Sequence, residues 1–270
     1  MRRFCHLAAI VLTGCAFDPS AAGIPEAGTP PPPFGPASND APAADPTAGE
    51  NVEVKLELAD ATAALATLGL TDGNADTTEA VWFYDTSALA LFGDGVILRA
   101  RKVHNGADDA TVKARPMLPA ATPPGWLSLA GSKCEVDETT SDAASSCSLT
   151  ATPAKGAIDN VASGAAMIDS LYDADQLVFL GSLDPSVSVD SLATFGPIAS
   201  TDWTVTSTPQ AISLERWDVP NGVSLLEASF RIAHADAASG LAALVAWANA
   251  NALAIAPVQA DKTGTALHSF

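Results

Sequence analysis

Residues 94–101 (DGVILRAR) and 109–115 (DATVKAR) decide how this chain is expected to fold. In both segments apolar side chains alternate with charged or polar ones, as on a β-strand whose successive side chains point to opposite faces. Arg99 and Arg101 therefore share a face of the first strand, and Lys113 and Arg115 share a face of the second. Such i, i+2 pairs lie roughly 6.6 Å apart at about 3.3 Å per residue. The two segments predict successive strands that cluster cations on one face.

Three further segments show the same alternation of apolar and charged residues, at about 52–58, 133–137 and 226–232. Eleven basic residues remain when Arg2 and Arg3 are set aside, and seven of them lie on the charged faces: Lys55, Arg99, Arg101, Lys113, Arg115, Lys133 and Arg231. Each strand taken alone is compatible with a solvated surface. Together they favour a curled sheet whose charged faces line a lumen, where the cations would repel one another unless an anion or carboxylates lie among them.

The bulk composition limits the classes of partner. The chain has 270 residues, 48% of them hydrophobic, so it can bury a core. Its net charge is -18, with 31 acidic against 13 basic residues, which argues against nucleic acid and anionic membrane surfaces as partners. No serine-nucleophile motif, phosphate-binding glycine loop or dinucleotide fingerprint occurs. Three of the four histidines, His104, His234 and His268, lie beyond residue 50 and show no metal-ligand spacing.

Three helices accompany the strands in the predicted secondary structure. The first begins after Asp60 and ends near Gly69, the second covers about 165–180, and the third runs from about Asp236 to Asn249. The predicted class is therefore α+β, with mostly antiparallel strands and helices packed outside. On a strand near residue 214, alternation places Glu215 inward and Arg216 outward, and it favours a packing role for Trp217.

The N-terminus is typical of an export signal. Arg2 and Arg3 precede a short apolar stretch, and residues 12–15 (LTGC) resemble the lipobox of bacterial lipoproteins, whose cysteine is acylated. The sequence thus predicts a signal peptide at 1–14, a lipidated Cys15 with a Pro/Ala-rich tether at 15–49, and a folded domain at 50–270. The protein would be anchored to the cell envelope by lipid alone, facing the periplasm or the cell surface. An ordinary cleaved signal with an incidental cysteine is the alternative.

Two other cysteines, Cys134 and Cys147, are expected in the exported domain. An even pair in an oxidising compartment predicts a disulfide, here closing a short loop. A metal site is the weaker interpretation, because no Cys-x-x-Cys motif or histidine lies nearby.

Several segments, in this order, resemble the CYTH family, also called triphosphate tunnel metalloenzymes. The likeness spans about residues 50–235. It is carried by 51–55 (NVEVK), 84–86 (YDT), 94–101 (DGVILRAR), 109–115 (DATVKAR), 133–137 (KCEVD), 195–198 (FGPI) with Trp203, and 225–231 (LLEASFR).

That resemblance implies an eight-stranded antiparallel β tunnel and a metal-dependent triphosphatase acting on a triphosphate or polyphosphate, with Lys55 and Glu53 in catalysis. The implied phosphate-binding residues are Arg99, Arg101, Lys113, Arg115, Lys133 and Arg231. The implied ligands of Mg²⁺ or Mn²⁺ are Glu53, Glu135, Asp137 and Glu227. The family also includes enzymes that cyclise ATP, an activity that the scarcity of ATP outside the cytoplasm disfavours here.

One residue departs from the family pattern. The opening motif has Glu-x-Glu-x-Lys, and its first glutamate is replaced by Asn51, which lacks the charge of a metal ligand. Glu57 lies in phase on the same predicted face and is a candidate for partial compensation. Two alternatives to catalysis therefore stay open: a polyphosphate-binding lipoprotein without turnover, and an envelope scaffold with a vestigial tunnel.

Overall fold

The computed structural model describes residues 51–206 and 210–270. The predicted signal peptide, Cys15 and the tether lie outside the described residues, so they stay predictions. Within this described part of the chain, nine strands form a closed barrel: β1 Asn51–Leu58, β2 Thr77–Asp85, β3 Val96–Val103, β4 Asp109–Ala114, β5 Ser132–Glu138, β6 Ala143–Ala151, β7 Ala193–Val205, β8 Ile212–Asp218 and β9 Ser224–Ala233. Six α-helices accompany them: α1 Ala61–Leu68, α2 Ala90–Gly93, α3 Ala157–Ala162, α4 Ala174–Leu183, α5 Ala237–Ala250 and α6 Lys262–Leu267.

The barrel corrects the expected strand count and direction. The order around it is β1-β5-β6-β4-β3-β2-β7-β8-β9, and β9 closes the ring on β1. Nine is an odd number, so strand direction cannot alternate around the whole ring. One pair must run parallel, and it is β1 with β5, in register from Asn51 opposite Glu135 to Val54 opposite Glu138. The sheet is therefore mixed, whereas the resemblance implied eight antiparallel strands.

Alternation along the strands separates an apolar outer face from a polar lumen, as predicted. On β1, Val52, Val54 and Leu56 are fully buried, and the charged side chains between them are half-buried. The outer faces of β1 and β9 pack against α1 and α5, and those of β3, β4 and β6 pack against α3 and α4. The helices thus cover the outside of the barrel, and the polar side chains are left to face its interior.

Two of the three helix predictions are confirmed, and local capping explains the bounds of the first. Asp60 accepts a hydrogen bond from the Ala63 N–H and Gly69 ends α1 in the left-handed region at φ 68°, as the sequence indicated. The third predicted helix is α5, within a residue at each end.

The second predicted helix, at 165–180, is wrong in its bounds. The chain forms a 3-10 turn at Ile168–Leu171, and α4 begins only after Asp173. Asp173 and Gln176 form a reciprocal capping box there. The buried Gln176 amide also donates to the carbonyl oxygens of Ala110 and Leu149, which fastens α4 to the sheet. Among residues 51–206 and 210–270, no helix combines the length and apolar composition needed to cross a membrane.

The predicted disulfide is confirmed. Cys134 on β5 and Cys147 on β6 are directly opposite each other and bonded, with their Cα atoms 4.1 Å apart. The bond ties the β5–β6 hairpin, and β5 carries two of the predicted metal ligands.

Candidate active site in the tunnel

A cavity of about 640 Å³ occupies the lumen of the barrel. Every predicted phosphate-binding, metal-binding and catalytic residue lines it: Glu53, Lys55, Arg99, Arg101, Lys113, Arg115, Lys133, Glu135, Asp137, Glu227 and Arg231. The structure therefore brings together charged side chains that are far apart in the sequence, as the curled-sheet hypothesis requires.

Three carboxylates form a compact group on the wall made by β1 and β5. Glu53, Glu135 and Asp137 each offer a carboxylate oxygen within 4.8 Å of the others. Parallel pairing places Glu53 opposite Asp137, and the two-residue period turns Glu135 to the same face. Hard oxygen ligands at this spacing are suited to Mg²⁺ or Mn²⁺. We refer to these three residues as the carboxylate group.

Asp137 lies among several cations of the tunnel, and its surroundings show whether a divalent metal would fit beside it. Its side chain is 1% exposed, and neither carboxylate oxygen accepts a well-oriented hydrogen bond from a described residue. Instead it has cations nearby: Lys55 Nζ at 3.2 Å, Arg115 Nη1 at 3.5 Å and Lys113 Nζ at 3.6 Å. Burial opposes ionisation, but these cations outweigh it and lower the pKa of Asp137. A buried, ionised carboxylate with free acceptor capacity fits a divalent cation.

Lys55 lies among three carboxylates that stabilise its charged form. Its Nζ lies 3.5 Å from Glu53 and 3.8 Å from Glu227, in addition to Asp137. Burial favours the neutral amine, but Glu227, Asp137 and Glu53 outweigh it and raise the pKa of Lys55. Lys55 therefore stays a cation at any physiological pH.

Two other lumen cations lack sufficient negative charge around them. Burial, followed by the repulsion of Arg101, lowers the pKa of Arg99, whose Nε is buried and donates to no described acceptor. Burial likewise lowers the pKa of Lys113, and Lys55 and Arg115 add to the effect. An anion among these groups would relieve both penalties.

Arg101 and the two cations at the rim are better paired. Arg101 Nη2 lies 2.6 Å from Asp109, and its Nη1 lies 3.4 Å from Glu79. Lys133 and Arg231 are about half exposed. Lys133 Nζ is 2.9 Å from Glu135, and Arg231 Nη2 is 3.2 Å from Glu53, beside the carboxylate group.

The sequence interpretation missed Lys262, which enters the lumen from the first residue of α6. Its Nζ contacts Glu215, lies 3.2 Å from Glu227 and stands 4.7 Å from the centre of the Trp217 ring. Burial opposes the charge of Lys262, but Glu215 and Glu227 raise its pKa overall. Residues around position 262 show no strand alternation, so no local signal pointed to this contact.

Glu215, Arg216 and Trp217 lie where alternation placed them. Glu215 and Trp217 line the lumen, and the Trp217 Nε1–H donates to Glu215 at 2.6 Å. Arg216 faces outward, over the Trp203 ring at 5.5 Å and 3.0 Å from Asp72. Trp217 is a packing residue, 2% exposed, in contact with Phe83.

Glu227 and Glu57 differ from the other acidic candidates in position. Glu227 contacts Lys55 and Lys262 and lies outside the carboxylate group. Glu57 accepts a hydrogen bond from the Ala260 N–H at 2.9 Å, so the structure ties it to the C-terminal segment. The compensation for Asn51 suggested for Glu57 therefore has no geometric support. Asn51 itself is exposed at the start of β1, opposite Glu135.

Solved structures show the same fold at low sequence identity. A candidate adenylate cyclase from Bacillus halodurans superposes with a TM-score of 0.54 and 13% identity, covering 80% of this chain and 97% of that one. A candidate adenylyl cyclase from Hippeastrum, described as having a dominant triphosphatase activity, superposes with a TM-score of 0.55 and 14% identity, covering 80% and 94%. No family model matches the sequence, and no curated protein matches it. The likeness supports the tunnel fold that the motifs implied, and identities this low show the fold alone.

Proposed function

We propose that this protein binds a triphosphate or polyphosphate inside its tunnel together with Mg²⁺ or Mn²⁺, and hydrolyses it. Support comes from the fold, which the Hippeastrum triphosphatase shares, and from the charges in the lumen. One observation carries the proposal: Arg99 and Lys113 are half-buried cations with lowered pKa values, in the same cavity as Asp137, a buried carboxylate that accepts no well-oriented hydrogen bond from a described residue. A phosphate chain and a divalent cation would satisfy both sets of groups at once.

The proposed roles follow from these positions. Glu53, Glu135 and Asp137 would hold the metal, which when bound would offset negative charge on the phosphate oxygens. Arginine binds phosphate by two parallel hydrogen bonds and lysine as a point charge, so the lumen cations would position the chain: Arg99, Arg101, Lys113 and Arg115. Lys55, beside the carboxylate group, would stabilise charge on the phosphoryl group being transferred. Lys133 and Arg231, half-exposed near it, would draw the anion in.

Binding without turnover is the second candidate function, favoured by position 51. Asn51 replaces the acidic residue of the opening motif, and Glu57 is engaged with Ala260. The metal site then has the three carboxylates of the carboxylate group and no negative charge from position 51, which weakens its attraction for a divalent cation.

Phosphate release from tripolyphosphate with Mg²⁺ or Mn²⁺, measured beside calorimetric binding, separates the two functions. Asp137→Asn should reduce metal affinity and turnover by tenfold or more, because it removes the central carboxylate of the group. Asp159→Asn is the matched control, since that aspartate pairs with Lys102 on the exterior. Unchanged metal binding in Asp137→Asn would remove the carboxylate group from the proposal.

Asn51→Glu tests whether the site is a weakened enzyme. The added carboxylate should raise metal affinity and the rate of phosphate release. Binding of tripolyphosphate without release in either protein would assign the tunnel to capture alone.

We also propose that the protein is exported and lipid-anchored through Cys15. The proposal rests on the N-terminal sequence, and a disulfide between Cys134 and Cys147 is consistent with an oxidising compartment. Mass spectrometry of the mature N-terminus should find an acylated cysteine, and Cys15→Ser should move the protein from the membrane to the soluble fraction. A mature protein that begins elsewhere, without lipid, would rule out the anchor.

A further inference from the structure

The disulfide between Cys134 and Cys147 lies behind the carboxylate group, on the other side of a single strand. Cys134 immediately precedes Glu135 on β5, and its side chain packs on the outer face of the barrel while Glu135 and Asp137 line the lumen. Cys147 is the residue directly opposite on β6. The disulfide therefore fixes the backbone from which two of the three carboxylates extend.

The two neighbours of β5 hold this strand unequally. Its antiparallel register with β6 covers the whole strand, Ser132–Glu138, whereas its parallel register with β1 covers only Glu135–Glu138. β1 in turn is paired along its whole length with β9. The position of Glu135 and Asp137 relative to Glu53 on β1 therefore depends on how firmly β5 is attached to β6.

Like charges in the carboxylate group oppose this arrangement. Each of its three side chains has an oxygen within 4.8 Å of the others, and without a divalent cation the carboxylates repel one another. Lys55 and Arg231 lie beside Glu53 and offset part of this repulsion. A covalent link between β5 and β6 resists the remainder, which acts to move β5 away from β1.

We propose that Cys134 and Cys147 are positioning residues for the metal site, and that reduction of their disulfide weakens the binding of a divalent cation. This inference rests on the proposed function, since it requires the carboxylate group to bind a metal. Cys134 is half-buried on the outer face, so a dithiol reductant reaches the bond without entering the tunnel. In that step the S–S bond breaks, both cysteines become thiols, and the two sulfurs of the reductant form a disulfide.

Titration with Mn²⁺, followed by electron paramagnetic resonance of the free ion, tests the inference. It compares the oxidised protein with protein reduced by a dithiol that is then removed in the absence of air. Reduction should weaken Mn²⁺ binding about tenfold, the effect typical of groups that support metal ligands, and reoxidation should restore it. The double variant Cys134→Ser with Cys147→Ser should bind Mn²⁺ like the reduced protein and should not respond to reductant. The reduced wild-type protein decides the test if the double variant does not fold.

Ile158→Ala is the matched control for a general loss of stability. Ile158 is buried on α3, which packs against the outer face of β3, and it belongs to neither β5 nor β6. The variant should lose stability because it leaves a cavity, and it should keep the Mn²⁺ affinity of the oxidised wild-type protein. An equal loss of affinity in Ile158→Ala would show that the disulfide acts through the fold as a whole, and would overturn the inference.

The outcomes separate this inference from the proposed function. Equal Mn²⁺ affinities of the oxidised and reduced proteins would overturn the inference and leave the metal site intact. Absence of Mn²⁺ binding by the oxidised protein would overturn the metal site of the proposed function, and the inference with it.

Discussion

The carboxylates of Asp202 on β7 and Glu215 on β8 show how strongly the surroundings of a side chain decide its pKa. Asp202 and Glu215 are directly opposite in the register. Burial opposes ionisation of Glu215, but Lys262 outweighs it and lowers the pKa of Glu215 to about 2. Burial, Glu215 and Glu79 raise the pKa of Asp202 to about 7, and Lys262 and Arg101 offset this only in part. Lys262, a half-buried lysine, therefore contributes to the separation of the pKa values of the two carboxylates.

Asp202→Asn should stabilise the protein at pH 8 and have little effect near pH 4. The folded pKa of Asp202 lies above its unfolded value near 3.8, so the contribution of Asp202 to stability falls as pH rises between about 4 and 7. Because the residue is partly exposed, we expect a gain of about 1–2 kcal/mol above pH 7. Urea denaturation at both pH values measures it, with the exposed Asp175→Asn as control. An equal effect at pH 4 and pH 8 would contradict the assigned cause.

At the scale of elements, α6 closes one end of the lumen. Ala266 and Leu267 are buried against Val81, Phe83 and Trp217 on the inner face of the barrel. Through these apolar contacts the short helix excludes solvent from this end of the lumen. It also places Lys262 beside the acidic side chains of the tunnel.

Leu267→Ala should destabilise the protein by about 2–3 kcal/mol, since it leaves a cavity in a well-packed cluster. Val178→Ala, at a residue 74% exposed, should cost less than about 0.5 kcal/mol. Chemical denaturation followed by tryptophan fluorescence measures both, and Trp217 reports on the environment of the helix. Equal stabilities of the two variants would show that α6 contributes little to closure.

The β5–β6 hairpin is the second element with a direct test. Replacing Cys134 and Cys147 together by serine should lower the free energy of unfolding by about 3 kcal/mol, because the disulfide closes a 13-residue separation in the unfolded chain. Reduction of the wild-type protein should have a comparable effect, and the double variant should no longer respond to reductant. A response of the double variant to reductant would point to another cause.

For the whole molecule, the tunnel concentrates cations inside a strongly acidic protein. The net charge of -18 repels anions from the exterior, while eight lysines and arginines line the lumen: Lys55, Arg99, Arg101, Lys113, Arg115, Lys133, Arg231 and Lys262. Carboxylates lie beside many of these cations and offset part of their mutual repulsion. The proposed anion would exchange some of these internal pairs for pairs with phosphate.

A ligand that binds only the folded barrel must stabilise it by mass action. Tripolyphosphate with Mg²⁺, at one hundred times its dissociation constant, should add about 2.7 kcal/mol to the free energy of unfolding. Thermal denaturation with and without the ligand measures this, and inorganic sulfate at equal ionic strength is the control. A scaffold with a vestigial tunnel predicts no shift with any polyanion.

The sequence alone determined which side chains of five strands face the lumen. Strand side chains alternate with a period of two, so the charged faces of β1, β3, β4, β5 and β9 could be assigned without knowing their neighbours. Capping chemistry is equally local, which is why α1 was predicted from Asp60 and Gly69, and the helical periodicity of apolar residues such as Leu241 and Leu244 predicted α5. The disulfide followed from the number of cysteines and the expected compartment.

Only the tertiary structure decided the nine-strand ring, the parallel β1–β5 pair, and the position of Lys262 between Glu215 and Glu227. Strand order and closure depend on the packing of the whole chain, and Lys262 is 35 residues beyond its nearer partner. The pKa values of Asp202 and Glu215 depend on that contact. Backbone geometry sets the direction of a side chain locally, whereas the charges that surround it come from strands and helices distant in sequence.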